Sequence, residues 1–442
     1  MPETPRIDVE ISGRQATPTD TQRAALSAAL AKAPPLGMRL DAAGEARRPN
    51  EVWELVSPHA HMGRKATGTA VVHYAPGHRT LTRPFIFADG FNYGRSDLKG
   101  LWQHFNRVYQ EGTPGFLDQL HALGIDVILL GFDVRHNHIQ ANAGVAVSCI
   151  RRAIRERVGQ APLIVGGVSM GGMVTRFALA RMERDEDEHE TGTYLSYDTP
   201  HLGAWTPLSL QQMAFQFEPI LPEPPEGQAK QAELLRSAAA RQLLWGSVPE
   251  AAYSGPVSEA DLRLDLIREL DDLRGFPVRP IKLGVANGAG DGTPGKLPPG
   301  EPAFAWEMEG IAKAVAYVQP DGGTRRRVSE MSLLGPVLTG ATSDVPAFDG
   351  APGGTLLTYG AIADQLGAPI EDGSRFSGFV PTVSAIALDK DPVIWTEDLY
   401  RPAIEITTDD VWLDDFRCAR TNTEHGSVQR ELVEWIVEKL AK

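Results

Sequence analysis

The chain has 442 residues, with 43 Lys/Arg against 57 Asp/Glu and a formal net charge of −14. Its only basic cluster is the short "GTRRRV" at 323–328, too small for a phosphate-backbone footprint, so nucleic acid is not an expected partner. No run approaches the roughly 18 apolar residues of a membrane span, and the first twenty residues lack the basic and apolar regions of a secretory signal, so a soluble, cytoplasmic protein without an integral membrane segment is expected.

Residues 1–65 are polar and rich in Ala, Pro and Arg, with one helical pattern at "DTQRAALSAALAKA", and are expected to form a peripheral N-terminal arm. The pattern then changes to strands. "GTAVVHYA", a "PGH" turn and "TLTRPFIFADGF" predict a hairpin entering a sheet. Helical "LKGLWQHFNRVYQ" and "GFLDQLHALG" precede the apolar strand "DVILLGFD"; helical "AGVAVSCIRRAIRERV" follows it. Next come strand "PLIVGGVS", helical "MVTRFALARMERD" and strand "TYLSYDTP". Strands alternating with helices of this length predict an α/β fold whose doubly wound, mostly parallel sheet is covered on both faces. The acidic "RDEDEHE" at 184–190 reads as a solvated loop between two of these elements.

Residues 66–203 thus form the first part of the core. Residues 204–275, mostly helical with the Pro-rich break "EPILPEPPEG", interrupt the alternation and are expected to be a cap or lid. The core resumes over 276–442 with strand "RPIKLGVANG", and about 300–400 reads as a second insertion containing a hairpin, "GIAKAVAYVQPDGGTRRRVSEMSL". Strand-like "DDFRCART", the polar loop "NTEHG" and an amphipathic helix carrying Val428, Leu432, Trp435, Ile436 and Leu440 end the chain. The length suits one enlarged domain as well as two. Cys149 and Cys418, each in an apolar segment, suggest two buried thiols rather than a disulfide or a metal site.

The chemistry gathers at "GGVSMGG". A serine forced between a strand end and a helix start at positive φ brings its neighbours into close backbone contact, which explains Gly166, Gly167, Gly171 and Gly172 around Ser169. Gly167-Val168-Ser169-Met170-Gly171 matches G-x-S-x-G in that context, and Ser169 is the expected nucleophile. A hydroxyl needs a base. Of eleven histidines, His425 alone sits in a short polar loop between a terminal strand and the last helix, where the chain returns to the carboxyl edge of the sheet. His104 and His121 fall in helical patterns, and His59, His61, His136 and His138 are in loops without that placement. Two carboxylates suit the third position: Asp291 in "NGAGDG", ranked first, and Asp198 at the end of "YLSYDTP"; Asp389 is a distant third. Backbone N–H groups of Met170 and of Phe91, in "ADGFNYG", are the expected oxyanion donors.

In these residues the chain resembles the α/β-hydrolase superfamily, in its lipase/esterase branch. "FADGFNYG" is similar to the oxyanion loop of lipases with Asp89 in place of the usual histidine, "GVSMGGMVTRFAL" to their nucleophile elbow, and "DTPHLGA" to their "TPHxG" segment. "APGG" and "FVPTVSA" are similar to segments of bacterial α/β hydrolases, without an assigned role. The resemblance implies hydrolysis of a small-molecule or lipid-like carboxylic ester, the cap's Trp205, Leu208, Leu210, Met213 and Phe215 facing either an apolar substrate portion or the core. Thioesterase, amidase or acyltransferase chemistry would use the same groups, and a non-catalytic binding protein could keep the fold. No cofactor or metal is expected: "GDGTPGKL" has Leu297 where a phosphate loop needs a hydroxyl, no G-x-G-x-x-G surrounds Ser169, and "HNH" and "HAH" lack a third ligand. Oligomeric state is not indicated.

Overall fold

The computed structural model describes residues 4–13, 19–30, 40–41, 44–109, 112–221, 223–224, 229–249, 253–258 and 261–442. Its centre is an eight-stranded sheet built from β1 (Glu51–Val56), β2 (Thr67–His73), β3 (Pro84–Ala88), β4 (Asp126–Phe132), β5 (Leu163–Val168), β6 (Thr191–Tyr197), β7 (Ile281–Ala289) and β8 (Asp415–Ala419). The spatial order is β1-β2-β4-β3-β5-β6-β7-β8; β2 alone runs opposite to the other strands, and every pairing from β4 to β8 is parallel.

Successive side chains of the central strands enter opposite cores, as a two-residue period requires. Phe85 and Phe87 of β3, with Val127 and Leu129 of β4, pack with helices α1 (Leu98–Phe105), α2 (Phe116–Ala122) and the C-terminal helix (Arg430–Leu440). Ile86, Ala88, Ile128 and Leu130 face α3 (Ile139–Glu156) and α4 (Met170–Arg184). Both faces are therefore covered, and β3, β4 and β5 are buried along their whole length.

Among the described residues of 204–275 lie the helices α5 (Leu208–Phe217), α6 (Gln231–Arg236), α7 (Ala238–Leu243) and α8 (Asp261–Asp272). The predicted Pro-rich break lies partly outside the described residues. The segment from 302 to 343 supplies four strands of a six-stranded antiparallel sheet, completed by Arg6–Ser12 and Gly255–Pro256, in which the predicted hairpin pairs Ala312–Tyr317 with Arg326–Leu333.

Two expectations are corrected. "GTAVVHYA" and "PFIFA" are not a hairpin, because β4 lies between β2 and β3 and pairs with both; alternation marks a strand's faces but not its neighbour. Residues 1–65 are not merely an arm. Arg6–Ser12 pairs antiparallel with Val337–Ser343 of the second sheet, Ile7 being fully buried, and β1 forms the edge of the central one. The predicted helix occupies Asp20–Leu30, its last expected residues, 31–33, lying outside the described ones.

Candidate active site

β3, β5, β6, β7 and β8 all run parallel, so the residues that follow them converge on one edge of the sheet, where ligands of open α/β sheets bind. Ser169 follows β5 directly, with φ 55° and ψ −126°. Such a conformation costs a non-glycine residue about 1–3 kcal/mol, and Ser169, though buried, lines a cavity at the turn. The glycines make the turn sterically possible: a Cβ on Gly167 would strike the Gly171 backbone, one on Gly171 the Ala88 carbonyl, and one on Gly166 the Leu195 carbonyl.

The Ser169 N–H donates to Tyr197 O (2.9 Å), the last residue of β6, so Asp198 is next to the turn. His425 Nδ1–H donates to Asp198 Oδ2 at 2.7 Å, with both side chains fully buried. The carboxylate can only accept, which fixes the imidazole as the tautomer with a free lone pair on Nε2. Nε2 has no partner among the described residues. The ring of Phe379 packs edge-on against His425, centroids 4.9 Å apart, and Phe379 also lines the cavity that contains Ser169.

Asp291 does not meet this histidine. It is exposed, and its Oδ1 accepts the Thr293 N–H (2.9 Å), which holds its carboxyl below the usual range. The order expected for the two aspartates is therefore reversed in position, and Asp389 is likewise exposed.

Several groups that the sequence did not single out hold the arrangement. Asn287 of β7 donates its backbone N–H to Asp198 Oδ1 (2.9 Å) and its side-chain amide to Ser427 O (2.9 Å), and its Oδ1 accepts from Gly426 N–H (3.0 Å), so one residue spans both the aspartate and the histidine loop. Thr355 O accepts the His425 N–H (2.8 Å), and Gly354 abuts Asp198 Oδ2 so closely that a Cβ would collide with it. "APGG" and "FVPTVSA", supplying Gly354 and Phe379, are thus the floor and wall around His425. His104, buried in α1, accepts from Asp41 N–H at Nδ1 (2.9 Å) and donates from Nε2 to Gly426 O (2.8 Å); burial keeps its pKa low and the ring neutral. The polar ending of "VANG" was the one readable signal for Asn287.

On the oxyanion side, Met170 is the first residue of α4 and has no intrahelical acceptor for its N–H. The Phe91 N–H has no acceptor among the described residues, and Phe91 lines the Ser169 cavity. Asp89, fully buried, accepts the Gly90 N–H (2.8 Å) and faces Arg135 at 3.5 Å. Burial pushes its carboxyl up against the pull of Arg135.

A second serine–histidine contact, Ser196 Oγ to His201 Nε2 (2.9 Å), has the wrong polarity for nucleophile activation. His201 Nδ1 lies 3.2 Å from Arg176 Nη1, which can only donate, so Nε2 carries the proton and donates to the serine. Burial and Arg176 hold that imidazole well below its ordinary pKa.

The cavity at Ser169 is narrow, about 20 Å³ of free space, and its walls come from Leu234 and Leu235 of α6, Ala240 and Leu243 of α7, Leu244 and Phe379. Trp205, Leu208, Leu210, Met213 and Phe215 are not part of it. They are buried in the core, Trp205 stacked on Phe348 at 4.4 Å. Among the described residues no group of three or more His, Cys, Asp or Glu could hold a metal ion, and no helix is long and apolar enough to cross a membrane.

One strand reversed in an otherwise parallel sheet, and a serine on a strand–turn–helix elbow, agree with the fold that the sequence motifs imply. The chain is similar to solved esterases and lipases: a Bacillus licheniformis lipase in mature form (14% identity over 50% of this chain and 72% of that one, TM-score 0.31), a Pyrobaculum calidifontis esterase (11%, 60% and 80%, 0.28) and Est1E from Butyrivibrio proteoclasticus (10%, 53% and 77%, 0.30). No family model and no curated protein matches it.

Proposed function

We propose that this protein is a serine hydrolase of carboxylic esters, with Ser169 as nucleophile, His425 as general base and Asp198 as the residue that orients it. The observation that carries this reading is the buried His425–Asp198 hydrogen bond, which leaves Nε2 unpartnered on a ring packed against Phe379, itself a wall of the cavity of a strained serine. His425 Nε2 takes the Ser169 proton as Oγ attacks the ester carbonyl, and Asp198 stabilises the imidazolium. The Phe91 and Met170 N–H groups hold the oxyanion, each such donor being worth about 10²–10³ in rate. Collapse expels the alcohol, which takes the proton from His425; water activated by the same imidazole then releases the acid. The apolar walls of the cavity suit an apolar acyl or alcohol portion.

A panel of p-nitrophenyl esters, acyl-CoA thioesters and anilides tests the reaction class. Turnover of the esters is expected, falling by about 10⁴–10⁶ in Ser169→Ala and His425→Ala. Fluorophosphonate should label wild type and not Ser169→Ala. A folded protein that neither turns over esters nor takes the label is not an enzyme of this kind.

A further inference from the structure

A second cavity, of about 290 Å³, lies between α4, α8 and the 387–392 loop and shares no lining residue with the one at Ser169. Two arginines line it, Arg176 of α4 and Arg263 of α8, only 7% and 6% exposed. Buried charges are normally paired, because an isolated ion loses its hydration without recompense. Neither arginine has a carboxylate within ion-pair distance among the described residues, and burial draws both guanidinium pKa values down to about 10, which leaves both cationic at neutral pH.

Their hydrogen bonds differ. Arg263 is occupied by three carbonyls, Gln242 O (3.2 Å), Leu202 O (2.5 Å) and Pro392 O (3.2 Å). Arg176 donates from Nε to Gly275 O (2.7 Å) and from Nη1 to His201 (3.2 Å) and Met173 Sδ (3.9 Å), and its guanidinium lies 3.6 Å from the centroid of the Phe276 ring. Its Nη2 has no acceptor among the described residues. His201 is neutral and offers no negative charge. Asp271, Asp389 and Asp391 also line the cavity but are exposed, and Asp391 Oδ1 accepts the Val393 N–H. Asp271 acts on Arg176 only through a solvent-screened field. Much of the remaining wall is apolar, with Met173, Leu266, Ile267, Leu270 and Trp412.

We propose that this cavity binds a small organic carboxylate, its oxygens on the free Nη2 N–H groups of Arg176 and its apolar body against Leu266, Ile267 and Leu270. Planar guanidinium edges match carboxylates, and the apolar wall favours an organic anion over an inorganic one. The site is independent of the chemistry at Ser169.

Isothermal titration of the full chain with hexanoate and benzoate, against phosphate and chloride at equal ionic strength, tests it. One-to-one binding of a carboxylate is expected, weakened at least about tenfold by Arg176→Gln. Ile267→Trp, which fills the cavity from a half-buried position, should also weaken it and carries the test if Arg176→Gln does not fold. Leu243→Trp, in the wall of the Ser169 cavity, should leave it unchanged. No carboxylate binding by wild type, binding of phosphate alone, or binding that survives Ile267→Trp and is lost in Leu243→Trp would each overturn the proposal.

Discussion

A carboxylate fixes the tautomer of an imidazole only through a short, desolvated hydrogen bond, and Asp198 and Asp291 differ in that respect. Asp198 is fully buried 2.7 Å from His425, whereas Asp291 is an exposed turn cap. Asp198→Asn should therefore lower kcat on p-nitrophenyl acetate by about 10⁴, since an amide N–H facing Nδ1 selects the wrong tautomer. Asp291→Asn should stay within about twofold of wild type; comparable losses in both variants would remove Asp198 from the role given to it. Other histidines bear on stability instead. Burial lowers the pKa of His73 to about 3 and also depresses those of His104, His121 and His201. A histidine whose pKa is lower folded than unfolded contributes stability that is complete above the unfolded value, near 6.5, and is lost as pH falls below it. The unfolding free energy from urea titration should accordingly decline from pH 7 to pH 4.5, with a slope of up to about 1.4 kcal/mol per pH unit for each such group. His73→Gln should remove the His73 share of that decline and leave the rest. A free energy unchanged over that range would mean that these rings accept protons in the fold.

At the scale of elements, the features readable from sequence are those whose cause is local. Ser169 stands out because strand, turn and helix lie within one short window, and His425 because a polar loop separates a terminal strand from a helix. The aspartate was ambiguous because Asp198 and Asp291 both follow apolar strands, and only the packing of β6 against β7 decides which carboxylate faces the imidazole. Strand neighbours were unreadable for a related reason: β2 and β3 are separated by a strand that arrives some forty residues later. Arg6–Ser12 was hidden because only Ile7 of its apolar residues is fully buried, Ile11 being 62% exposed. "APGG" had no readable role because its partners lie elsewhere in the chain. Gly354→Ala would drive a methyl group into Asp198 Oδ2 and press on the His425 backbone. It should cut kcat by at least about 10²-fold, as a misplacement near 1 Å does. Gly367→Ala, at a helix end with open space around it, should leave turnover intact and cost only stability.

Over the whole molecule, the question is whether the cap, the second sheet and the central core unfold together. Asp349 lies between them. It is 1% exposed and accepts from Trp205 Nε1 (2.6 Å) at the start of the cap, from Tyr359 OH (2.6 Å), and from the backbone N–H of Gln319 (2.6 Å) just after a strand of the second sheet. Burial pushes its carboxyl up while the three donors pull it down. Trp205 and Phe348, stacked on each other, carry the same junction into the large apolar cluster that packs on one face of the central sheet. An asparagine at this position keeps one acceptor oxygen and turns an NH₂ group toward a donor, leaving buried N–H or O–H groups unsatisfied at about 1–3 kcal/mol each. Asp349→Asn should thus lower the thermal midpoint by several degrees while the unfolding remains a single transition, followed in parallel by tryptophan fluorescence and far-UV circular dichroism. Two separated transitions in the variant, the earlier one seen by fluorescence alone, would show that the cap and second sheet fold independently of the core and that Asp349 does not couple them.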